Sequence, residues 1–357
     1  MTRIAVLGAN GQVGAEICLL LQNHPGVTVV PICRNRLGSA FLRYRGVACR
    51  HGRAAVPAET KRLLGDCDVV LNSAFVSGLP REARERNCRL IESAVRGSAA
   101  GARIIQLSTL MVHGDPRPGR RVRWRSAYSQ EKRAGERDAT RFGRKCGKPV
   151  WVLRLGHVCG ELQGITRQIR ERIAAEPVAL PPADVTSNVV YTATIVDAVL
   201  GIVAGRVETG VYDLVCHPKW SWREVFEREA RVSGHEPRWT EAEVAPSGRA
   251  DTLAFAVWRL VSAGVPREIA MRLLSVLSPG WNLRLQAAHY RRRAATEIAA
   301  LRAPSEPMEG LDWIDLARHP LEKLTPTAEL LGRAEYALPP FDPARSWPPD
   351  LPPATTG

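Results

Sequence analysis

A tyrosine and a lysine four residues apart, Tyr128 and Lys132, are the side chains in this sequence best suited to acid–base chemistry. On a helix this spacing puts both side chains on one face, one turn apart. A free tyrosine has a pKa of about 10 and is a poor base at neutral pH. Because an adjacent ammonium group stabilises the phenolate, it lowers that pKa. The pair is therefore predicted to pass a proton to or from a substrate oxygen.

A glycine-rich turn near the start of the chain predicts a dinucleotide site. The segment "RIAVLGANGQVGAEICLLL" is typical of a strand, a tight turn and a helix. Glycines in such a turn let a pyrophosphate approach the backbone amides at the start of the helix, and they let the helix pack on the strand. The predicted cofactor contacts in this turn are Gly8, Asn10, Gly11, Gln12, Val13 and Gly14.

Strands that alternate with helices must hold these two motifs in place. Continuous apolar runs such as Ile4 to Leu7 predict strands that are covered on both faces of a parallel sheet. Alternation of such runs with helical stretches predicts β-α-β units and the α/β fold class. The predicted strands are 4–7, 27–33, 68–75, 102–109 and 150–156, and the predicted helices among them are 82–95 and 126–142.

Three motifs together resemble the short-chain dehydrogenase/reductase superfamily. They are G-x-x-G-x-x-G, the pair Ser108-Thr109, and Tyr-x-x-x-Lys about 120 residues after the first glycine. Over residues 3–235 the chain resembles the extended branch, the nucleotide-sugar epimerase/dehydratase family. The resemblance implies an NAD(P)-dependent enzyme that forms a homodimer. It gives Tyr128 and Lys132 the catalytic proton transfer, Lys132 a further contact with the cofactor, and Thr109 the hydrogen bond to the substrate oxygen, with Ser108 as its neighbouring candidate.

The resemblance and the strand pattern together predict the domain layout. A Rossmann-type doubly wound parallel sheet is expected over 1–155, with 188–216 returning to it. A smaller, mostly helical C-terminal substrate domain is expected over 156–187 and 217–335, including a helix that Ser221 and Glu224 cap. A proline-rich, disordered tail is expected over 336–357.

The second predicted strand ends in a segment that bears on the choice of cofactor. In the family a carboxylate there binds the adenosine ribose, but this chain has Arg34 and Arg36. Since a guanidinium suits a 2′-phosphate, NADP(H) is favoured and NAD(H) is the alternative. The resemblance also implies that the end of the predicted strand 68–75 lines the cofactor, through Asn72, Ser73 and Ala74.

The residues after Thr109 narrow the reaction. Sugar 4,6-dehydratases of the family carry Asp-Glu there, whereas this chain has Leu110 and Met111, which cannot transfer protons. Dehydration is therefore disfavoured, which leaves 4-ketoreduction or epimerisation. The segment 154–161 resembles the family's pocket motif, although His157 stands where an asparagine is usual. Candidate substrate-binding residues are Arg154, His157, Arg121 and Arg123.

A formal net charge of +14, with 50 lysines and arginines, favours anionic partners. An anionic nucleotide-sugar is preferred to nucleic acid, because the basic stretch 117–125 contains one aromatic residue, Trp124. Association of 257–274 with a membrane surface is a weaker alternative. Eight dispersed cysteines and a strand at the N-terminus predict a reduced cytoplasmic protein without a metal site.

Two other functions fit the same residues. The apolar helices predicted over 250–302 could enclose a hydrophobic ketone, steroid-like or polyketide-like, in place of a sugar. A dinucleotide-binding regulator without turnover is the second alternative, and a complete set of Thr109, Tyr128 and Lys132 disfavours it.

Overall fold

A computed structural model describes residues 1–77, 80–113, 127–175, 177–180, 187–241 and 325–339. The strands are β1 (Thr2–Leu7), β2 (Val27–Cys33), β3 (Arg50–His51), β4 (Val69–Asn72), β5 (Arg103–Thr109), β6 (Val150–Leu155), β7 (His157–Cys159), β8 (Val178–Leu180), β9 (Val189–Tyr191), β10 (Gly210–Leu214) and β11 (Trp239–Glu241). The helices are α1 (Gln12–Gln22), α2 (Ala40–Tyr44), α3 (Pro57–Leu64), α4 (Pro80–Gly97), α5 (Ala127–Lys145), α6 (Gly164–Ala174), α7 (Thr192–Val203), α8 (Trp222–Ser233) and α9 (Thr327–Leu331). Short 3₁₀ helices span Leu37–Ser39, Leu110–His113 and Ala334–Tyr336.

The centre of the fold is a seven-stranded sheet in the order β10-β6-β5-β4-β1-β2-β3. Every strand pair in it is parallel. Ile4 and Val6 point into a core shared with α1 and α7. Ala5 and Leu7, which alternate with them, point into a second core shared with α3, α4 and α5. Helices therefore cover both faces, and the predicted Rossmann-type doubly wound parallel sheet is confirmed.

A smaller unit lies beyond β6. Strand β7 pairs with β9 and strand β8 pairs with β11, each in a separate two-stranded sheet. A third core, built around Trp222 and Phe226, joins them to α6 and α8. Helix α8 begins with the predicted capping box, in which Ser221 and Glu224 each bind the other's backbone amide. The helices predicted over 250–302 lie outside the described residues.

Two later segments pack on the parallel sheet. Strand β10 pairs with β6 at its edge, while the domain boundaries themselves stay a prediction. Tyr336, the first residue of the expected disordered tail, is packed against the fold, and the disorder of the tail stays a prediction. The Tyr336 hydroxyl donates to Asp197, and its ring packs edge-on against His24. Residues 340–357 are not among those described. In the part of the chain with assigned structure, no helix is long and apolar enough to cross a membrane.

Candidate active site

The order of the strands locates the site. From β1 the chain adds β2 and β3 on one side of the sheet and then crosses to add β4, β5 and β6 on the other, so the strand order switches between the neighbours β1 and β4. In open α/β sheets, ligands bind in the crevice outside the carboxyl ends of the strands at such a switch point. The glycine turn follows β1, and the segment Asn72 to Ala74 follows β4, so these two predicted cofactor segments meet there.

The glycine turn is shaped so that side chains would not fit. Gly8 has a φ of +79°, and a Cβ atom there would lie 2.7 Å from the backbone nitrogen of Ala74. A Cβ atom on Gly14 would clash with the carbonyl oxygen of Gly8. The Gly11 amide closes the turn by donating to the Gly8 oxygen at 2.8 Å. The amides that begin α1 thus face a close-fitting crevice, with no acidic residue in the first turn to repel phosphate.

The segment after β4 is fixed by its own polar side chains. The Asn72 amide donates to Gln106 at 2.8 Å and its oxygen accepts from the Ala74 amide at 3.2 Å. The Ser73 hydroxyl donates to the carbonyl of Leu7 at 2.7 Å. These contacts tie the end of β4 to β1 and β5, and they create one rigid wall of the crevice. Together with the glycine turn, this wall can therefore hold a dinucleotide.

The arginines after β2 lie at the same carboxyl edge. Arg34 and Arg36 are both exposed, and β2 is the neighbour of β1 in the sheet. Between them, the Asn35 oxygen accepts from the Gly38 amide at 2.8 Å and turns the chain into the next helix. The position of Arg34 after β2 is therefore compatible with an anion bound at this edge of the sheet.

Tyr128 and Lys132 occupy the first turns of α5, on the face turned to β5. The Lys132 ammonium lies 5.8 Å from the centre of the Tyr128 ring and donates to the carbonyl of Leu107 at 3.4 Å. Burial lowers the pKa of Lys132 to about 8, against the opposing effect of the carboxylate of Glu136. Burial also raises the pKa of Tyr128. The two predicted catalytic side chains are thus brought together beside the crevice.

Thr109 and Ser108 end β5 with their side chains in different surroundings. The Thr109 hydroxyl oxygen accepts from the amide of Met111 at 3.3 Å, and the side chain is half-buried. The Ser108 hydroxyl is buried and donates to Glu136 at 2.5 Å. This geometry favours Thr109 over Ser108 as the residue that can reach a substrate, although both roles stay predictions.

A buried ion-pair network lies beneath Lys132. Glu136 accepts two hydrogen bonds from the Arg154 guanidinium, at 2.9 and 2.8 Å. The same guanidinium approaches Asp213 at 3.7 Å, and the Nε2 atom of His113 lies 2.9 Å from that carboxylate. Arg154 was expected to bind substrate, but here its charge is engaged by two buried carboxylates. Its predicted contact with substrate stays a prediction.

Two of the predicted substrate residues lie outside the described part of the chain, Arg121 and Arg123. His157 is described, in β7, and its ring packs 5.6 Å from that of Trp222. His113 ends the 3₁₀ helix after β5, and its contact with the fully buried Asp213 makes it a packed residue.

The sequence analysis missed three residues at or near the site. Glu136 follows Lys132 by four positions, and that helical spacing could have predicted it. Phe75 follows Ala74, and its ring meets the Tyr128 ring edge-on, with 5.0 Å between the centres. Glu16, buried in α1, accepts hydrogen bonds from the amides of Glu161 and Leu162 at 3.0 and 3.1 Å. Only the fold brings those partners to it, because they lie about 145 positions away.

Comparisons with solved structures find the same fold. A UDP-N-acetylglucosamine 4-epimerase from Bacillus cereus matches with a TM-score of 0.53 and 18% identity, over 68% of this chain and 86% of that chain. A UDP-glucuronic acid 4-epimerase from the same organism, in complex with NAD, matches with a TM-score of 0.52 and 16% identity, over 67% and 87%. A comparison with curated protein sequences gives no match. The model of one family matches residues 4–200. The chain belongs to the NAD dependent epimerase/dehydratase family.

Proposed function

We propose that this enzyme acts on a carbinol or ketone of a nucleotide-linked sugar, as a 4-epimerase or a 4-ketoreductase. The observation that carries the proposal is the convergence of Thr109, Tyr128 and Lys132 at the carboxyl edge of the sheet, beside the glycine turn. A substrate oxygen held there lies next to a proton donor and within the same crevice as a dinucleotide. That arrangement suits proton transfer coupled to hydride transfer.

Tyr128 is the proposed general acid and base. Its hydroxyl would give a proton to a ketone oxygen, or take one from a carbinol, and Thr109 would hold the same oxygen by a hydrogen bond. Burial raises the pKa of Tyr128, so its phenolate needs a nearby positive charge. Lys132 would supply that charge, because a pKa of about 8 leaves most of it protonated at neutral pH. When bound, the nicotinamide cofactor supplies the hydride donor or acceptor.

Net dehydration is not proposed. Expulsion of water needs a second acid–base pair, and Leu110 and Met111 occupy the positions next to Thr109. Leu110 is buried and Met111 is exposed, and neither side chain can carry a proton. One tyrosine can serve three reactions: oxidation, reduction, or oxidation followed by reduction from the other face of the ketone.

A nucleotide-linked sugar is the proposed substrate class. The structurally similar proteins include epimerases of UDP-N-acetylglucosamine and UDP-glucuronic acid, which supports this class. His157, Arg121 and Arg123 are the proposed basic contacts of the diphosphate, whereas the pairing of Arg154 with Glu136 and Asp213 makes its own predicted contact with substrate the weakest of the four. The exposed arginines of this chain fit such an anion better than a neutral ligand.

NADP(H) is the proposed cofactor, with NAD(H) as the alternative that the complexes of similar proteins support. Exposed Arg34 and Arg36 follow β2, where a 2′-phosphate would lie. Replacing Arg34 by Ala should weaken NADPH binding about 10-fold or more, the usual loss for a charged hydrogen bond, and leave NADH binding unchanged. Calorimetric titration measures both affinities. Equal losses for the two cofactors would contradict the NADP(H) preference.

A homodimer is proposed as the assembled state. Helices α4 and α5 pack side by side against one face of the sheet, and their outer faces would form the contact with a second copy. Sedimentation analysis should give about twice the mass of one chain. A monomer at all concentrations would contradict this assembly without affecting the proposed chemistry.

Product analysis tests the proposed function. Purified enzyme would be incubated with UDP-sugars and with 4-ketosugar nucleotides, each with NAD(H) and with NADP(H). A 4-epimerase converts a UDP-sugar to its C4 epimer without net change in cofactor absorbance. A 4-ketoreductase oxidises NADPH only when the ketosugar is present. Absence of both products across the panel, with cofactor bound, would contradict the proposal.

A further inference from the structure

Large apolar side chains are seldom exposed in the part of the chain that the structure describes, and half of those that are lie at the candidate site. Six are exposed, and Phe75, Met111 and Tyr128 are three of them, at 37%, 41% and 40%. The other three are scattered: Met1 at the terminus, Val211 on the edge strand β10 and Val232 in the last turn of α8. Scattered exposed apolar groups are ordinary, whereas a cluster marks a binding surface.

Phe75 and Thr109 lie at the carboxyl ends of two neighbouring strands, β4 and β5. In the parallel pair of β4 and β5, Asn72 lies opposite Gln106. Phe75 lies in the segment after β4, three residues beyond Asn72, and Thr109 is the last residue of β5, three residues beyond Gln106. Met111 lies two residues further along, and its amide is bound to the Thr109 hydroxyl. Phe75 and Met111 therefore lie at the same carboxyl edge of the sheet as Thr109, the residue proposed to hold the substrate oxygen.

Phe75 is held firmly in this position. Its ring packs edge-on against Tyr128 at an interplanar angle of 73°, and the Lys132 ammonium lies 5.3 Å from its centre. Aromatic pairs and cation–π contacts of this kind each contribute about 0.5 kcal/mol or more. The exposed face of Phe75 is thus a preformed apolar surface, and the same contacts keep the Lys132 charge behind the ring.

We infer that the substrate presents an apolar substituent, such as a methyl group, to Phe75 and Met111 beside the reacting carbon. This inference rests on the proposed function and names the substrate class within it. The class is a nucleotide-linked deoxysugar, in which the carbon next to the reacting centre carries a methyl group in place of a hydroxymethyl or carboxylate group. A hydroxymethyl or carboxylate group at that place would lose water against a phenyl ring and a thioether. Neither side chain returns a strong hydrogen bond, so the lost hydration would be uncompensated.

Matched substrates test the inference. Three 4-ketosugar nucleotides would share one nucleotide and differ only in the substituent on the carbon next to the ketone: methyl, hydroxymethyl or carboxylate. The expected kcat/KM is highest for methyl, by about 10-fold or more over hydroxymethyl, since one such difference in an apolar pocket is worth about that much. The equilibrium affinities of the Tyr128→Phe variant for the corresponding UDP-sugars should follow the same order.

Two variants assign the selectivity to the apolar surface. Phe75→Ser and Met111→Ser should each reduce the preference for methyl, while the equally exposed Val211→Ser, on the sheet edge, should leave it unchanged. If Phe75→Ser weakens cofactor binding and keeps the preference, the surface serves the cofactor and the inference is wrong. A preference for hydroxymethyl or carboxylate in the unmodified enzyme also overturns it.

Failure of the proposed function gives a different result. If no nucleotide-linked sugar binds or reacts, a panel of hydrophobic ketones would be tested instead, with the same three variants. If the enzyme turns over such a ketone and Phe75→Ser lowers that turnover, the result would support an apolar pocket. It would reject both the nucleotide-sugar function and the deoxysugar class. Silence of both panels would reject the inference together with the proposed function.

Discussion

Replacing Glu16 by Gln should change how the stability of this protein depends on pH. The Glu16 carboxyl group is 3% exposed, in the helix that follows the glycine turn. It accepts from the amides of Glu161 and Leu162 and from the side chain of Gln163. Despite these three hydrogen bonds, burial raises its pKa from 4.5 to about 7. The folded protein therefore binds a proton at Glu16 more tightly than the unfolded chain does.

The sign and size of the effect follow from this difference. A raised pKa in the folded state adds stability that is fully present below pH 4.5 and is lost as pH rises through 7. A shift from 4.5 to about 7 corresponds to about 3.4 kcal/mol in total. Between pH 5 and pH 8 the Glu16 contribution should fall by about 2.5 kcal/mol. A glutamine keeps the shape of the side chain but does not titrate.

Urea unfolding, followed by tryptophan fluorescence at pH 5, 6, 7 and 8, measures the effect. The stability of the natural protein relative to Glu16→Gln should decline across this range by about 2.5 kcal/mol. Glu85→Gln, in an exposed pair with Arg89 on α4, is the matched control and should give a difference that does not vary with pH. A difference for Glu16→Gln that is flat, or that grows with pH, would refute the account of this buried carboxyl group.

Two further substitutions probe the crevice and the network beneath it. Gly8→Ala should weaken cofactor binding at least 10-fold in calorimetric titration, because a Cβ atom at a φ of +79° would press on the backbone of Ala74; unchanged affinity would argue against this turn as the pyrophosphate site. Glu136→Gln should lower the unfolding free energy by about 3 to 5 kcal/mol, because it leaves the Arg154 charge poorly paired. If Glu136→Gln lowers the unfolding free energy no more than the exposed control Glu85→Gln does, the buried ion-pair network contributes little to stability.

In the first 156 residues local signals predicted five strands of the central sheet and helices α1, α4 and α5, but they did not predict the short elements β3, α2 and α3. The strands and α5 have apolar runs and helical spacing that depend on near neighbours only, and the glycine turn has a spacing that few other turns share. The capped start of α8 was predicted for the same reason, since Ser221 and Glu224 are three residues apart. In each case the physical cause lies within a few residues of the element.

The sequence did not reveal a helix that is buried on all sides or the contacts between residues far apart in the chain. Helix α7 was not predicted as a helix, because its buried residues surround it and leave no polar face to set a helical period. The ordered end at Tyr336 depends on Asp197, 139 positions earlier. Likewise His113 meets Asp213, 100 positions later. Contacts across such separations form only when the sheet has assembled, so composition and spacing cannot predict them.

The most direct test of the central claim is single-turnover hydride transfer in Tyr128→Phe. The variant removes one hydroxyl and keeps the ring that packs on Phe75, so cofactor affinity should be unchanged. With a sugar substrate accepted by the natural enzyme, the rate of hydride transfer should fall about 100-fold or more, the usual contribution of a positioned general acid. A Tyr128→Phe enzyme that binds cofactor and transfers hydride at the natural rate would contradict the assignment of Tyr128 as the proton donor and acceptor.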